Sequence, residues 1–230
     1  MILHKFNNTS SLFLAAAALV AMLAIVRAVP AAAQQSMPAG APAAATGSVK
    51  SVIDQSIVVF KDKQIAETDR EAKLRQIAES HFDFEEMSRS AVGYHWRDFT
   101  PAQKSEFVPL FTTFIEDAYL SRIEDYSVEK VNQQIESSKI QFTKETPDGP
   151  DYAEVFSTVA LSDRANPLQV NYLMRRDGNE WKIYDISIDA ISVIANYRNQ
   201  FNRVLNSDGY DKLVSIMRQK TEGLRKTMAK

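Results

Sequence analysis

The chain has 230 residues, with 27 Lys and Arg against 29 Asp and Glu, a formal net charge of −2 and no cysteine. Near-neutral charge supplies no overall basic field for nucleic acid. Without cysteine there are neither disulfides nor thiolate chemistry, so the fold must stand on packing alone.

His4 and Lys5 lead into LFLAAAALVAMLAIV, Leu12 to Val26, followed by AVPAAAQQ, where Ala31 and Ala33 satisfy the small-residue rule of signal peptidase. This pattern predicts a secretory signal peptide over residues 1–33. A retained membrane anchor is the rival reading, weakened because the apolar run is shorter than the about 20 residues a span needs. The mature chain is therefore expected to be periplasmic. Residues 34–47, QQSMPAGAPAAATG, lack periodicity and are rich in Ala, Pro and Gly, which predicts a disordered linker. Residues 48–230 then form a single domain large enough for its own core.

Val49, Val52, Ile53, Ser56, Ile57 and Phe60 recur at helical spacing, as do Leu74, Ile77 and Ala78, so the domain opens with helices. A short helix over 82–91 has Asp83 placed as its cap and Glu85 and Glu86 in its first turn. Thr100 caps a longer helix with Pro101 at its first position and Gln103 completing a capping box. Phe107, Leu110, Phe111, Phe114, Ile115, Ala118, Tyr119 and Ile123 make one stripe along it to about Tyr126.

Beyond Tyr126 the period changes to two. Strands are predicted over 139–145, 153–161, 168–176 and 180–188, separated by PDGP, SDRANP and RDGN. Such short connections favour antiparallel neighbours. In the last strand Ile183 and Asp185 alternate with Tyr184, Ile186 and Ile188, so both faces carry apolar mass. Two helices, 190–206 and 208–227, close the chain, with Gly209 near their junction. The predicted class is α+β, helices packed on a curved four-stranded antiparallel sheet enclosing an apolar cavity.

Asp185 and Asp189 are the first candidates for acid/base work. Asp189 stands where strand turns to helix, so an N-cap role accounts for it, and Asp185 has Arg198 as a candidate partner. His81 and His95 lack ligand spacing, and no GxSxG, P-loop or dinucleotide fingerprint is present. The last helix carries Lys212, Arg218, Lys220, Arg225, Lys226 and Lys230, either a solvated face or a contact for an acidic partner or lipid headgroup. What remains is an excess of large apolar side chains. Singly they read as core; as a set they suit a pocket for an apolar ligand.

Three segments carry a family resemblance: FDFEEMSRSAVGYHWRDFTPAQKSEF from Phe82, WKIYDISIDAISVIANYRNQF from Trp181, and NRVLNSDGYDKLVSIMRQK after it. Together they resemble the MlaC family of periplasmic phospholipid-binding proteins, also known as toluene-tolerance auxiliary proteins, with a hopanoid-associated sister group. One position departs from the family pattern. Ala190 stands where Gly is frequent, which suggests a less strained turn or a different start to the helix.

The resemblance implies a non-enzymatic lipid carrier with no cofactor, its bound lipid being cargo, that shuttles phospholipid between an outer-membrane lipoprotein–porin complex and an inner-membrane ABC transporter complex, so maintaining outer-membrane lipid asymmetry. It implies a monomer with no nucleic-acid partner. The cavity residues expected on this reading are Phe107, Phe111, Phe114, Tyr172, Met174, Ile183, Tyr184, Ile186, Ile194 and Tyr197. Physically, a lipid with some thirty methylenes faces on the order of 20 kcal/mol on entering water, at about 0.8 kcal/mol each, and a dry cavity cancels most of that. Alternatives are a small-molecule enzyme using Asp185 or Tyr184 as acid/base, or a scaffolding domain with a solid core.

Overall fold

The computed structural model describes residues 45–124, 138–161 and 165–228. The predicted signal peptide, 1–33, lies outside the described residues, as does most of the predicted linker.

Helix α1, Ala45–Lys61, begins inside the stretch expected to be linker. The reason is not local. The Glu145 carboxylate accepts from the amides of Ala45 (3.2 Å) and Thr46 (2.9 Å) and from the Thr46 hydroxyl (2.6 Å), so it caps the helix from the sheet. Of the predicted stripe, Val49, Val52, Ile53, Ser56 and Phe60 are buried and Ile57 is half-buried, while Val59, not in the stripe, is buried with them.

Helix α2, Glu67–His81, differs in kind: its sole buried residue is Arg70, which donates to the Asp62 carbonyl at the end of α1. Helix α3, Phe84–Val92, starts as predicted, the Asp83 carboxylate accepting from the Glu86 amide at 3.0 Å. It stops at Gly93, and a 3-10 turn, Gly93–Arg97, redirects the chain. Helix α4, Pro101–Glu124, opens on the predicted box: the Gln103 amide donates to Thr100 Oγ1 (3.2 Å) and the Thr100 amide to Gln103 Oε1 (2.9 Å). Its predicted last residues lie outside the described ones.

The class is α+β as predicted, but the sheet has five strands where four were expected. β1 (Lys139–Asp148), β2 (Tyr152–Ala160), β3 (Leu168–Asp177), β4 (Glu180–Ile188) and β5 (Ile191–Ser192) lie in chain order, each antiparallel to the next. The fifth strand exists because Asp189 (φ 47°) and Ala190 (φ 65°) both adopt positive φ, as a type I′ hairpin requires, returning Ile191 and Ser192 to pair with Ile188 and Ser187. Asp189 is therefore not a helix cap. Its amide donates to the Gln169 carbonyl (2.8 Å) and its carboxylate accepts from the Gln169 amide (3.0 Å), which ties the turn to β3. The expectation of a less strained turn at Ala190 is also corrected, since its Cβ occupies the left-handed region that glycine tolerates better.

The closing helix α5, Val193–Met228, starts three residues later than predicted, capped by Ser192, whose hydroxyl accepts from the Ala195 amide at 2.8 Å. Gly209 (φ 78°, ψ −172°) divides it into two arms, 193–208 and 210–228.

One face of β2, β3 and β4 is buried. Ala153 pairs with Met174 and Met174 with Ile183; Val155 pairs with Tyr172 and Tyr172 with Ile186; Ser157 pairs with Val170 and Val170 with Ile188. A bulge in β4 makes this possible. Leu173 pairs with Asp185 while Met174 pairs with Ile183, so Tyr184 is extra and the alternation shifts. Ile183, Ile186 and Ile188 are all buried as a result, instead of being divided between two faces as simple alternation predicts.

Candidate functional site

Two apolar layers belong to one continuous buried cluster. The first is the sheet face just described. The second is a column of rings between α4 and the first arm of α5. Phe107, Phe111 and Phe114 share one face of α4 by their spacing, and Tyr197 and Phe201 lie one turn apart on α5. Phe107 stacks on Phe111 with centroids 5.8 Å apart, and Phe201 meets Phe111 edge-on at 6.0 Å. Tyr197 meets Phe114 at 5.6 Å and Phe111 at 6.2 Å. Phe99 extends the column, touching Phe107 at 5.7 Å and Tyr210 at 4.8 Å. Offset and edge-on geometries are those that ring quadrupoles favour.

Of the ten residues expected to line a cavity, eight belong to one continuous buried cluster: Phe107, Phe111, Phe114, Tyr172, Met174, Ile183, Ile186 and Ile194. Tyr197 and Tyr184 are half-buried and pack against it. Tyr184 stands at the bulge, its ring edge-on to Tyr152 at 5.8 Å. Phe107, Phe111, Tyr172 and Met174 expose no surface (0 %), so this conformation seals the ring column and the centre of the sheet face from water. Sequence reasoning missed Phe201, which touches Phe107, Phe111, Phe114 and Tyr197. Its i+4 offset from Tyr197 was the available signal.

Asp185 is buried at the corner where strand becomes helix. Its carboxylate accepts from the Ile186 amide (2.8 Å), the Ile194 amide (3.1 Å) and the Ser192 hydroxyl (2.5 Å). Burial raises its pKa, and these three hydrogen bonds oppose the rise. The group thus fixes the N-terminal end of α5 against β4. Arg198 does not hydrogen-bond to it and acts on it through its charge, while donating Nε to the Ser90 carbonyl at 2.5 Å. The Tyr184 phenol is pushed up to about 12, first by burial and then by neighbouring Glu86. That direction suits neither a base nor a ready proton donor near neutral pH.

Among the predicted tail cations, Arg218 pairs with Glu106 (2.8 Å), Arg225 with Asp117 (2.7 Å) and Lys226 with Glu222 (2.6 Å). Among the described residues no cluster of three or more His, Cys, Asp or Glu is placed to hold a metal ion, and no helix is long and apolar enough to cross a membrane.

Comparison with known proteins gives likenesses of three kinds. A family model described as MlaC protein matches residues 50–219. The intermembrane phospholipid transport system binding protein MlaC of Haemophilus influenzae is 26% identical over 149 residues, a match covering 60% of this chain and 62% of that protein. The chain thus spans less than two thirds of that relative. A phospholipid-binding protein from Ralstonia solanacearum, solved in complex with a phospholipid, superposes with a TM-score of 0.63 at 22% identity, covering 80% of this chain and 99% of the other. At that identity the likeness is one of fold.

Proposed function

The chain belongs to the MlaC family, and from that premise we propose that it is a periplasmic carrier that takes phospholipid acyl chains into its interior and shuttles them between the outer and inner membranes. The observation that carries the reading is the sealed apolar interior, one continuous buried cluster that holds both the ring column and the sheet face. Such layers, once parted, offer hydrocarbon walls on both sides, and the cost of holding a lipid in water falls by most of the on the order of 20 kcal/mol given above. The similarity to a phospholipid-transport binding protein and the shared fold with a phospholipid-bound protein support the same cargo.

On this reading the protein is not an enzyme and needs no cofactor, the lipid being cargo. Asp185 supports that view, because all its described hydrogen bonds serve the strand-to-helix corner. With no nucleotide motif in the chain, directional transfer depends on docking partners: an ABC transporter complex at the inner membrane and a lipoprotein–porin complex at the outer membrane. The ten cavity residues named from the sequence are the proposed lining. Phospholipid is the favoured cargo, and hopanoid is the other outcome the experiment distinguishes.

The test is native mass spectrometry with lipid extraction on protein purified from its own periplasm. Stoichiometric phospholipid is expected. Protein that is stoichiometrically empty and takes up nothing from liposomes overturns the proposal.

A further inference from the structure

Helix α2 packs on α1 and reaches β4, at the edge of the apolar interior, without being anchored in it. None of its apolar residues is buried; Ile77 and Ala78 pack against the core cluster but stay half-buried. The second arm of α5, by contrast, buries Leu213, Val214 and Met217. What α2 has instead are polar ties: to α1 and the loop after it, through Arg70 on the Asp62 carbonyl and His81 beside Gln55 (both 2.9 Å), and to α4, through Arg75. Its guanidinium donates to Glu116 Oε2 (2.8 Å) and Asp117 Oδ1 (2.5 Å) on α4, and to Glu71 Oε1 (2.7 Å) one turn back on its own helix. Asp117 is wholly buried and is held from the other side by Arg225 at 2.7 Å. Beyond the short loop to α1, the C-terminal end of α2 is fixed by the Phe82–Ile183 bridge and the Asp83 amide donating to the Ile183 carbonyl (2.9 Å).

We infer that α2 is a strap at the edge of the lipid-holding interior, latched to α4 by Arg75 and free to lift by charge separation without exposing a core of its own. The inference rests on the carrier reading and adds a route by which cargo enters and leaves. The physical reason is a difference in what must be broken. Lifting the second arm of α5 pulls buried hydrocarbon into water, whereas lifting α2 exchanges ion pairs for hydration, and water or a charged docking partner satisfies the released groups. The latch is also tuned from its own side. Glu79, exposed on α2, repels Glu116, whose Oε1 is buried without a partner.

Two substitutions move the latch in opposite directions. Arg75→Met keeps the length of the stem and removes the charge; Glu79→Lys turns a repulsion toward Glu116 into an attraction at an exposed position. The readouts are the rate of phospholipid exchange between the full mature chain and vesicles of phosphatidylethanolamine and phosphatidylglycerol, and amide exchange of α2 relative to α4. Arg75→Met is expected to speed lipid exchange by at least about tenfold. Glu79→Lys is expected to slow it by about two- to fivefold. In both variants the change in α2 amide exchange follows the change in lipid exchange. A helix serving only stability does not give a variant slower than the parent.

Lipid uptake that proceeds at the parent rate in both variants overturns the strap and leaves the carrier reading standing. Amide exchange in α2 as slow as in α4 overturns it as well, whatever the lipid does. Absence of uptake by the parent chain removes the carrier reading and the strap's role with it.

Discussion

Replacing Gly93 by Ala tests how the GYHW turn is built. Gly93 has φ 58° and ψ −128°, close to the second position of a type II′ turn, a conformation that L side chains avoid. Strain of this kind costs about 1–3 kcal/mol. An added Cβ also meets Arg198: Cδ lies 3.3 Å away, Cγ 3.6 Å and Nε 3.7 Å. The stem must yield by a few tenths of an ångström, and the same side chain donates Nε to the Ser90 carbonyl at 2.5 Å. Weakening that charged-donor bond is worth about 1–2 kcal/mol. The unfolded chain loses some freedom, which returns about 0.5 kcal/mol. The expected net loss is about 2–4 kcal/mol.

Urea denaturation with an unchanged m-value reads this directly. Gly178→Ala is the control, because φ is also positive there (60°) but nothing lies within 4 Å of the new Cβ; about 1 kcal/mol is expected. In an Arg198→Ala background the Gly93→Ala cost should fall by about 1–2 kcal/mol, the signature of coupled neighbours. A cost below about 0.5 kcal/mol in the parent, or the same cost in both backgrounds, refutes the reasoning.

Met174→Asp or Ile183→Asp places an unpaired carboxylate in the buried sheet face, so stability should drop by several kcal/mol and lipid should no longer co-purify; a folded variant that still retains lipid removes that residue from the site. Ala190→Gly relieves the positive φ of the β4–β5 turn and should raise stability by about 0.5–1 kcal/mol, read as a shift in the urea midpoint. Tyr184 has a folded pKa pushed up to about 12 from 10. The unfolded chain therefore releases the proton first, and stability falls as pH rises through that window, from about 10 to about 12. Tyr184→Phe should lessen that alkaline loss, measured by urea titrations at either end of the window, and only modestly because the phenol is partly open to solvent.

Local patterns carried much of the fold. The stripe Val49, Val52, Ile53, Ser56 and Phe60, the Asp83 cap and the Thr100–Gln103 box each depend on residues no more than four positions from the next, and the structure has all of them. The aromatic face of α4 was legible for the same reason, and Phe201 was missed although the spacing pointed to it. The errors cluster at the β4-to-α5 corner. Alternation cannot announce a bulge, because the extra residue at Tyr184 is defined by Leu173 and Met174 on another strand.

The amino-acid order alone thus settled the main helices and the four longer strands, the caps at Asp83 and Thr100, and that the class is α+β, since those preferences are set by neighbours along the chain. Tertiary contact decided the rest: that Glu145 caps a helix about a hundred residues away, that Asp189 and Ala190 form a hairpin turn instead of a cap, and that Asp117 is gripped by arginines from two other helices. Each of these is a meeting of groups far apart in sequence, and its free energy exists only once packing has brought them together.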